Sequence, residues 1–148
     1  MSLIERLRDD LKDAMRARDA QRKSALRMVL TEIQLAEVES SEPLSDDDVV
    51  VVIRKEVKRR EDAVEMMREA GRQELVKAET RELEILRAYL PQMMSEAEIT
   101  ELVERVVDEM GADSMRDMGR VMGAVMPQVK GRADGRLVNQ VVRKHLSA

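Results

Sequence analysis

Four times along this chain a serine stands three residues ahead of an acid at the head of an apolar stripe. The pairs are Ser2 with Glu5, Ser45 with Asp48, Ser95 with Glu98 and Ser114 with Asp117. In this arrangement the serine hydroxyl accepts from the backbone N–H of the third helical residue, whose own acid reaches back to the cap. Helices punctuated so regularly leave little room for a sheet. The core residues agree: Phe and Trp are absent, Tyr89 is the sole aromatic, and Met occurs 12 times. Leu, Val, Ile, Ala and Met must fill the interior, which suits packed helices better than aromatic-rich strands. The spacing predicts an all-α protein.

The apolar stripes place the elements. Leu3, Ile4, Leu7, Leu11 and Met15 follow helical spacing behind Ser2, and Leu26, Val29, Leu30 and Ile33 form a second stripe. Pattern alone leaves open whether the second continues the first or follows a bend at Arg18-Asp19-Ala20. Ser40-Ser41-Glu42-Pro43 is a break, because Pro disfavours helix at the residue before it. Val49 to Ile53 resembles a buried strand, yet Val57, Val64 and Met67 continue at helical steps. One helix is therefore expected from about Asp46 to Ala70, capped by Gly71. A further helix runs from Glu74 to Leu90, with Leu75, Leu83, Leu86 and Leu90 inward, and Pro91 closes it.

Beyond Pro91 the helices shorten. Ile99, Leu102, Val103, Val106, Val107 and Met110 make one stripe, a short helix runs from Ser114 to about Met126, and Pro127 to Asp134 is a connection. Leu137, Val138, Val141, Val142 and Leu146 make the last helix. The expectation is an N-terminal domain of long helices over 1–91 and a small three-helix domain over 92–148. Four of the six glycines crowd between Gly119 and Gly135, where close backbone approach or a shaped loop is expected.

Charge divides in the same way. Residues 91–114 carry Arg105 against seven acids, net −6, whereas residues 115–148 carry seven basic side chains against Asp117 and Asp134, net +5. A concentrated cationic end lets a mildly acidic chain bind a polyanion locally. Catalytic features are lacking. His145 sits three residues from the C-terminus, the serines are wanted as caps, and no Gly-x-x-x-x-Gly-Lys-Ser/Thr loop exists. Carboxylate pairings such as Glu56 with Arg60 read as surface ion pairs in a chain of 30 acids. Without cysteine there is no disulfide or thiolate metal site. The charged start Met1-Ser2-Leu3-Ile4-Glu5-Arg6 is unlike a signal peptide, and no apolar run approaches the ~20 residues of a membrane span. A soluble, cytoplasmic protein is expected, with neither metal nor cofactor and without independent catalysis.

Tyr89-Leu90-Pro91-Gln92 with Ser95-Glu96, Gly119-Arg120-Val121-Met122-Gly123, and Lys130-Gly131-Arg132-Ala133-Asp134-Gly135 with Leu137-Val138-Asn139 together resemble the YqeY family. The start through Arg27-Met28-Val29 and the piece Ala70-Gly71-Arg72 resemble it too, so the likeness covers essentially the whole chain. YqeY proteins are similar to the C-terminal tail of GatB, a subunit of the tRNA-dependent amidotransferase, a carbon–nitrogen ligase that takes its amide nitrogen from glutamine. The resemblance implies a two-part helical fold and a link to tRNA, with amidotransferase subunits or an aminoacyl-tRNA synthetase as further partners. It implies no active site.

The binding candidates are Lys130, Arg132 and Arg136 around a helix start, with Arg143 and Lys144 at that helix's far end. Free N–H groups at the helix start favour an anion, although Asp134 is placed to cap the same helix. A second cluster is Arg54-Lys55 with Lys58-Arg59-Arg60. With one aromatic in the chain, recognition by shape and phosphate is expected in place of base stacking. The competing expectation is a helical protein–protein adaptor with no nucleic-acid contact. It would use the stripe Val50, Ile53, Val57, Val64 and Met67, which Arg60 interrupts, although that stripe is expected rather to pack inside the N-terminal helices.

Overall fold

The computed structural model describes residues 1–147, and among these there are seven α-helices and no strand. They are α1 (Leu3–Arg16), α2 (Ala20–Ser40), α3 (Asp46–Glu69), α4 (Gln73–Arg87), α5 (Glu96–Met110), α6 (Met118–Val125) and α7 (Gly135–Leu146). The helices fall into two compact units that divide between Leu90 and Pro91. All four serines accept a backbone N–H at a helix start, and Ser2, Ser45 and Ser95 complete reciprocal capping boxes. Each such cap stabilises its helix by about 1 kcal/mol. The open question at Arg18-Asp19-Ala20 resolves as a break. Arg18 adopts a left-handed φ of 54°, and the Asp19 carboxylate accepts from Arg22 N–H to start α2 afresh.

In the first unit α1 packs on α2, and α4 packs on both α2 and α3. Leu7, Leu26, Val29, Ile33, Ile53, Leu83 and Leu86 form its core. Each such side chain contributes roughly 1.5–3 kcal/mol by leaving water. The stripe Val50, Ile53, Val57 and Val64 is buried, so it packs inside the N-terminal helices as expected, and the competing adaptor surface on α3 is not available. Leu75 corrects another expectation. It is 43% exposed, and its neighbour Val76 takes the inward place because α4 begins with that side toward the core. The short helix expected from Ser114 is also subdivided. A 3-10 turn, Met115–Asp117, precedes α6, and another, Met126–Gln128, follows it.

The Glu56–Arg60 pair is not on the surface. Arg60 is 6% exposed and Glu56 is 4% exposed. The Arg60 Nε donates to Glu56 Oε1 at 3.1 Å, and its Nη1 donates to Glu79 at 3.3 Å and Glu82 at 3.1 Å. Its Nη2 lies 3.2 Å from the Met28 sulfur, so one guanidinium reaches residues on α2, α3 and α4. Arg59 supplies a second cation to Glu56 from the exposed side. Outlying pins reinforce the arrangement. Arg81 on α4 grips Asp19 through two hydrogen bonds of 3.1 and 2.8 Å. The Tyr89 hydroxyl donates to Asp10, and the Arg6 guanidinium lies 4.7 Å over the Tyr89 ring.

Removing the guanidinium would leave its carboxylates uncompensated. Arg60→Met should lower the unfolding free energy by about 3–5 kcal/mol near neutral pH. Burial, and then the charge of Glu82, already push the Glu79 carboxyl above its ordinary range. The folded chain therefore holds that proton more tightly than the unfolded chain does, and stability contributed by this group rises as pH falls through the raised range. Without Arg60 the effect grows, so urea unfolding should show a smaller cost at about pH 5 than at about pH 7. An identical cost at both values would contradict this account.

Candidate nucleic-acid interface

In the second unit α5 packs against α6 and α7 around Ile99, Val103, Val121, Val125, Val129, Val138 and Val142. The connection between α6 and α7 hangs from Val129, whose side chain is fully buried. Its carbonyl accepts from the N–H of Arg132 at 2.8 Å and of Ala133 at 3.1 Å. The Arg132 carbonyl in turn accepts from Met94 N–H at 2.7 Å. Gly131 turns the chain with φ +74°, in the left-handed region that a side chain disfavours. An apolar plug and three backbone hydrogen bonds thus pin this loop, and Lys130 and Arg132 stand on its exposed side.

The Asp134 side chain accepts from Arg136 N–H at 2.9 Å and caps α7. The helix start is therefore occupied by a carboxylate, and an anion approaching it would meet Asp134. Val138, Val141, Val142 and Leu146 face inward, while Arg136, Gln140, Arg143 and Lys144 are exposed on the other side. Arg136 and Arg143 are two turns apart, about 10 Å along the axis. Arg143 and Lys144 also lie in the last turn, where cations favour the helix dipole. Arg132, Arg136, Arg143 and Lys144 make no ion pair among the described residues.

Both acids of this cationic stretch are engaged. Asp117 accepts from Asp113 N–H and pairs with Arg120 at 2.7 Å, which together hold its carboxyl below the usual range. Asp134 serves α7. The other basic cluster is dispersed instead: Lys58 pairs with Asp62, Arg59 pairs with Glu56 and Glu32, and Arg60 is buried. His145 is half-buried in the last turn of α7.

Of the two reasons expected for the glycine cluster, the shaped loop holds at Gly131 and close backbone approach does not hold at Gly119, Gly123 or Gly135. A Cβ at Gly119 or Gly123 would meet nothing within 4 Å, and one at Gly135 would make an ordinary 3.7 Å contact with Met126. Close packing within the chain requires none of these three, and the backbone demands glycine only at Gly131 of this group. Sequence reading missed Val129 as the loop's anchor and the Met94 tether. The first looked like part of an irregular connection, and the second is a backbone contact that leaves no side-chain signal.

These features define an all-helical protein of two units, the second presenting a pinned cationic loop and the exposed face of its last helix. Among the described residues no helix is long and apolar enough to cross a membrane, and no group of three or more His, Cys, Asp or Glu could hold a metal ion. The Yqey-like protein family matches residues 4–146, and the chain belongs to it. It is 35% identical over 89 residues to an uncharacterized protein of Schizosaccharomyces pombe, covering 60% of this chain and 72% of that one. It is 31% identical over 121 residues to altered inheritance of mitochondria protein 41, mitochondrial, of Pyrenophora tritici-repentis, covering 80% and 66% of the two chains. The Lachancea thermotolerans protein of the same name is 33% identical over 110 residues, covering 72% and 59%. These mitochondrial names overturn the cytoplasmic expectation. That expectation had no physical hold on the compartment, because absent cysteines and membrane spans bear on redox chemistry and lipid alone.

The loop geometry has its own test. Gly131→Ala should destabilise the second unit by about 1–2 kcal/mol through left-handed strain, read by thermal unfolding. Gly119→Ala, with open space and a helical position, should leave stability unchanged or raise it by about 0.5–1 kcal/mol.

Proposed function

We propose that this protein is a tRNA-associated accessory that binds through its C-terminal unit, without an active site of its own there. The observation that carries the reading is the set Lys130, Arg132, Arg136, Arg143 and Lys144, all exposed on one pinned loop and its following helix. Four of them make no ion pair among the described residues, and the two acids of that stretch are already engaged by backbone N–H groups. Membership of the YqeY family supports the link to tRNA, through that family's likeness to the GatB tail.

The mode of binding follows from what the surface offers. Tyr89 is 7% exposed, and it is the chain's sole aromatic. No exposed Phe, Tyr or Trp is left for stacking on an unpaired base, so phosphates and the shape of a folded RNA are what these cations read best. Since Asp134 fills the start of α7, side chains rather than helix N–H groups meet the phosphates. Binding of this kind is sensitive to salt, because each neutralised phosphate releases counterions.

The triple variant Lys130→Ala/Arg132→Ala/Arg136→Ala should bind tRNA at least about tenfold more weakly in a gel shift. The slope of log affinity against log salt should fall by about 3, one for each lost contact. Asp134→Asn keeps the cap while removing a negative charge, and should bind more tightly than the parent chain. Unchanged affinity in both variants would reject the assignment. In a reconstituted transamidation reaction, addition of the protein should alter the rate at limiting tRNA; no effect would separate it from the amidotransferase while leaving the tRNA contact standing.

A further inference from the structure

The nitrogens of Arg60 divide their partners by kind. Nε and Nη1 take the carboxylates, while Nη2 donates to the Met28 sulfur at 3.2 Å. A thioether is a weak acceptor, so this is the softest contact of a guanidinium that is otherwise charge-paired and buried. Met28 itself is 45% exposed. It lines an open groove of about 780 Å³ between α1 and α2, and also a recess of about 220 Å³ shared with Ser24, Glu56, Arg60, Glu79 and Glu82. A small solute in the groove therefore reaches the same side chain that touches a buried charge. Met15 lines the groove too, but its sulfur accepts at 3.8 Å from Arg27, which is exposed.

We propose that Met28 is an oxidative modification site, and that its sulfoxide fastens α2 to Arg60 more firmly than the thioether does. Hydrogen peroxide supplies the oxygen. Nη2 engages one lone pair of the sulfur, and the other attacks a peroxide oxygen. The S–O bond forms as the O–O bond breaks, and the departing hydroxide takes the remaining proton to leave as water. Sulfur is oxidised by two electrons and the peroxide is reduced by two. Methionine is unbranched, so turning its last torsions swings the new oxygen toward Nη2. The recess beside it has room for far more than one added oxygen.

The consequence is opposite to that of oxidation in an apolar core, where a polar sulfoxide disrupts packing. Here the oxygen meets a charged donor, and a hydrogen bond from a guanidinium to oxygen is stronger than one to sulfur. The carboxylates keep Nε and Nη1, so no ion pair is given up. Nearly half of Met28 faces water, which limits the cost of burying the added polarity. Sulfoxide reductases restore the thioether, so the hold of α2 on the ion cluster is tightened and released by the same atom. The site lies in the first unit and is independent of the tRNA reading.

Tyr89, the sole aromatic, lies in the first unit, so its fluorescence reports the unfolding of that unit. The test uses the full chain with the other exposed methionines replaced, as Met15→Leu, Met66→Leu, Met93→Leu and Met115→Leu. Hydrogen peroxide should place an oxygen on Met28, located by peptide mass spectrometry. The Tyr89 unfolding midpoint should then rise by about 4 °C or more, and a methionine sulfoxide reductase should return it. In Met28→Leu on the same background, peroxide should not raise the midpoint. Met28→Gln sets an amide oxygen where the sulfoxide oxygen would stand, and should unfold at a higher temperature than Met28→Leu with no peroxide added. Three results would each overturn the proposal. They are oxidation of the core-packed Met67 or Met122 ahead of Met28, a midpoint unchanged or lowered in the oxidised chain, and Met28→Gln no more stable than Met28→Leu.

Discussion

A single guanidinium sets the register of the first unit. Leu, Val and Ile of similar size fill most of its core, and such side chains tolerate sliding of one helix along another. Arg60 does not tolerate it. Its Nε and Nη1 reach carboxylates on α3 and α4, and its Nη2 reaches the Met28 sulfur on α2. Displacing α3 against α4 by a turn would part Arg60 from Glu79 and Glu82 and leave buried charge unpaired, at a cost of several kcal/mol. Displacing α2 would lose the Met28 sulfur contact. A buried ion cluster contributes little net stability compared with an apolar replacement, but it penalises wrong arrangements heavily. The outer pins repeat the principle more weakly. Hydrogen bonds from Arg81, and then from Arg22 N–H, hold the Asp19 carboxyl down at about 2, while burial and then the Asp10 contact push the Tyr89 hydroxyl up to about 12.

The caps and the inward stripes were legible in the sequence because they are local. Ser45 and Asp48 meet across one turn, so the signal and the contact share four residues. Arg60 was not legible, and it was read as an interruption in a stripe and a surface partner of Glu56. Its other partners lie 19 and 22 residues away on α4, and only the packing of α3 on α4 brings them in. Leu75 failed for a smaller reason. Val76 is one residue on, and a start shifted by one step rotates a helix by about 100°. The break after α1 could not be read because Arg18, rather than a glycine, adopts the left-handed turn. In the candidate interface the cations were legible by charge alone, while the loop that presents them was not, since Val129 and Met94 act through burial and backbone.

The second unit shows how a chain of net charge −4 presents a positive surface. Its acids concentrate on α5, where Glu96, Glu98, Glu101, Glu104, Asp108 and Glu109 alternate with the buried stripe. Those of the following stretch have structural work: Asp117 fastens the turn before α6, and Asp134 starts α7. Charge that is hydrogen-bonded to backbone N–H groups has already met its complement, and it cancels nearby cations less than the net count implies. The glycines Gly119 and Gly123 leave the outer side of α6 bare of side chains next to that cationic stretch. The unit therefore separates its two signs by helix, and the loop that carries Lys130 and Arg132 is hydrogen-bonded into its own unit around Val129.

Met28 connects the register device to the outer surface of α2. From beneath, its sulfur receives the Arg60 Nη2; from above, nearly half of it faces water. Glu79 and Glu82 lie beside it, with the Arg60 side chain, around one small recess shared with Ser24. Water reaching that recess weakens the attraction between Arg60 and its carboxylates, and its loss would strengthen that attraction. It would also deepen the burial that already raises Glu79. The two effects oppose each other, since the pairs gain while the surplus carboxylate is penalised further. Protonation of Glu79 relieves the penalty and keeps Arg60 paired with Glu56 and Glu82. Acidification through that group's raised range thus leaves the guanidinium that sets the register paired with two carboxylates.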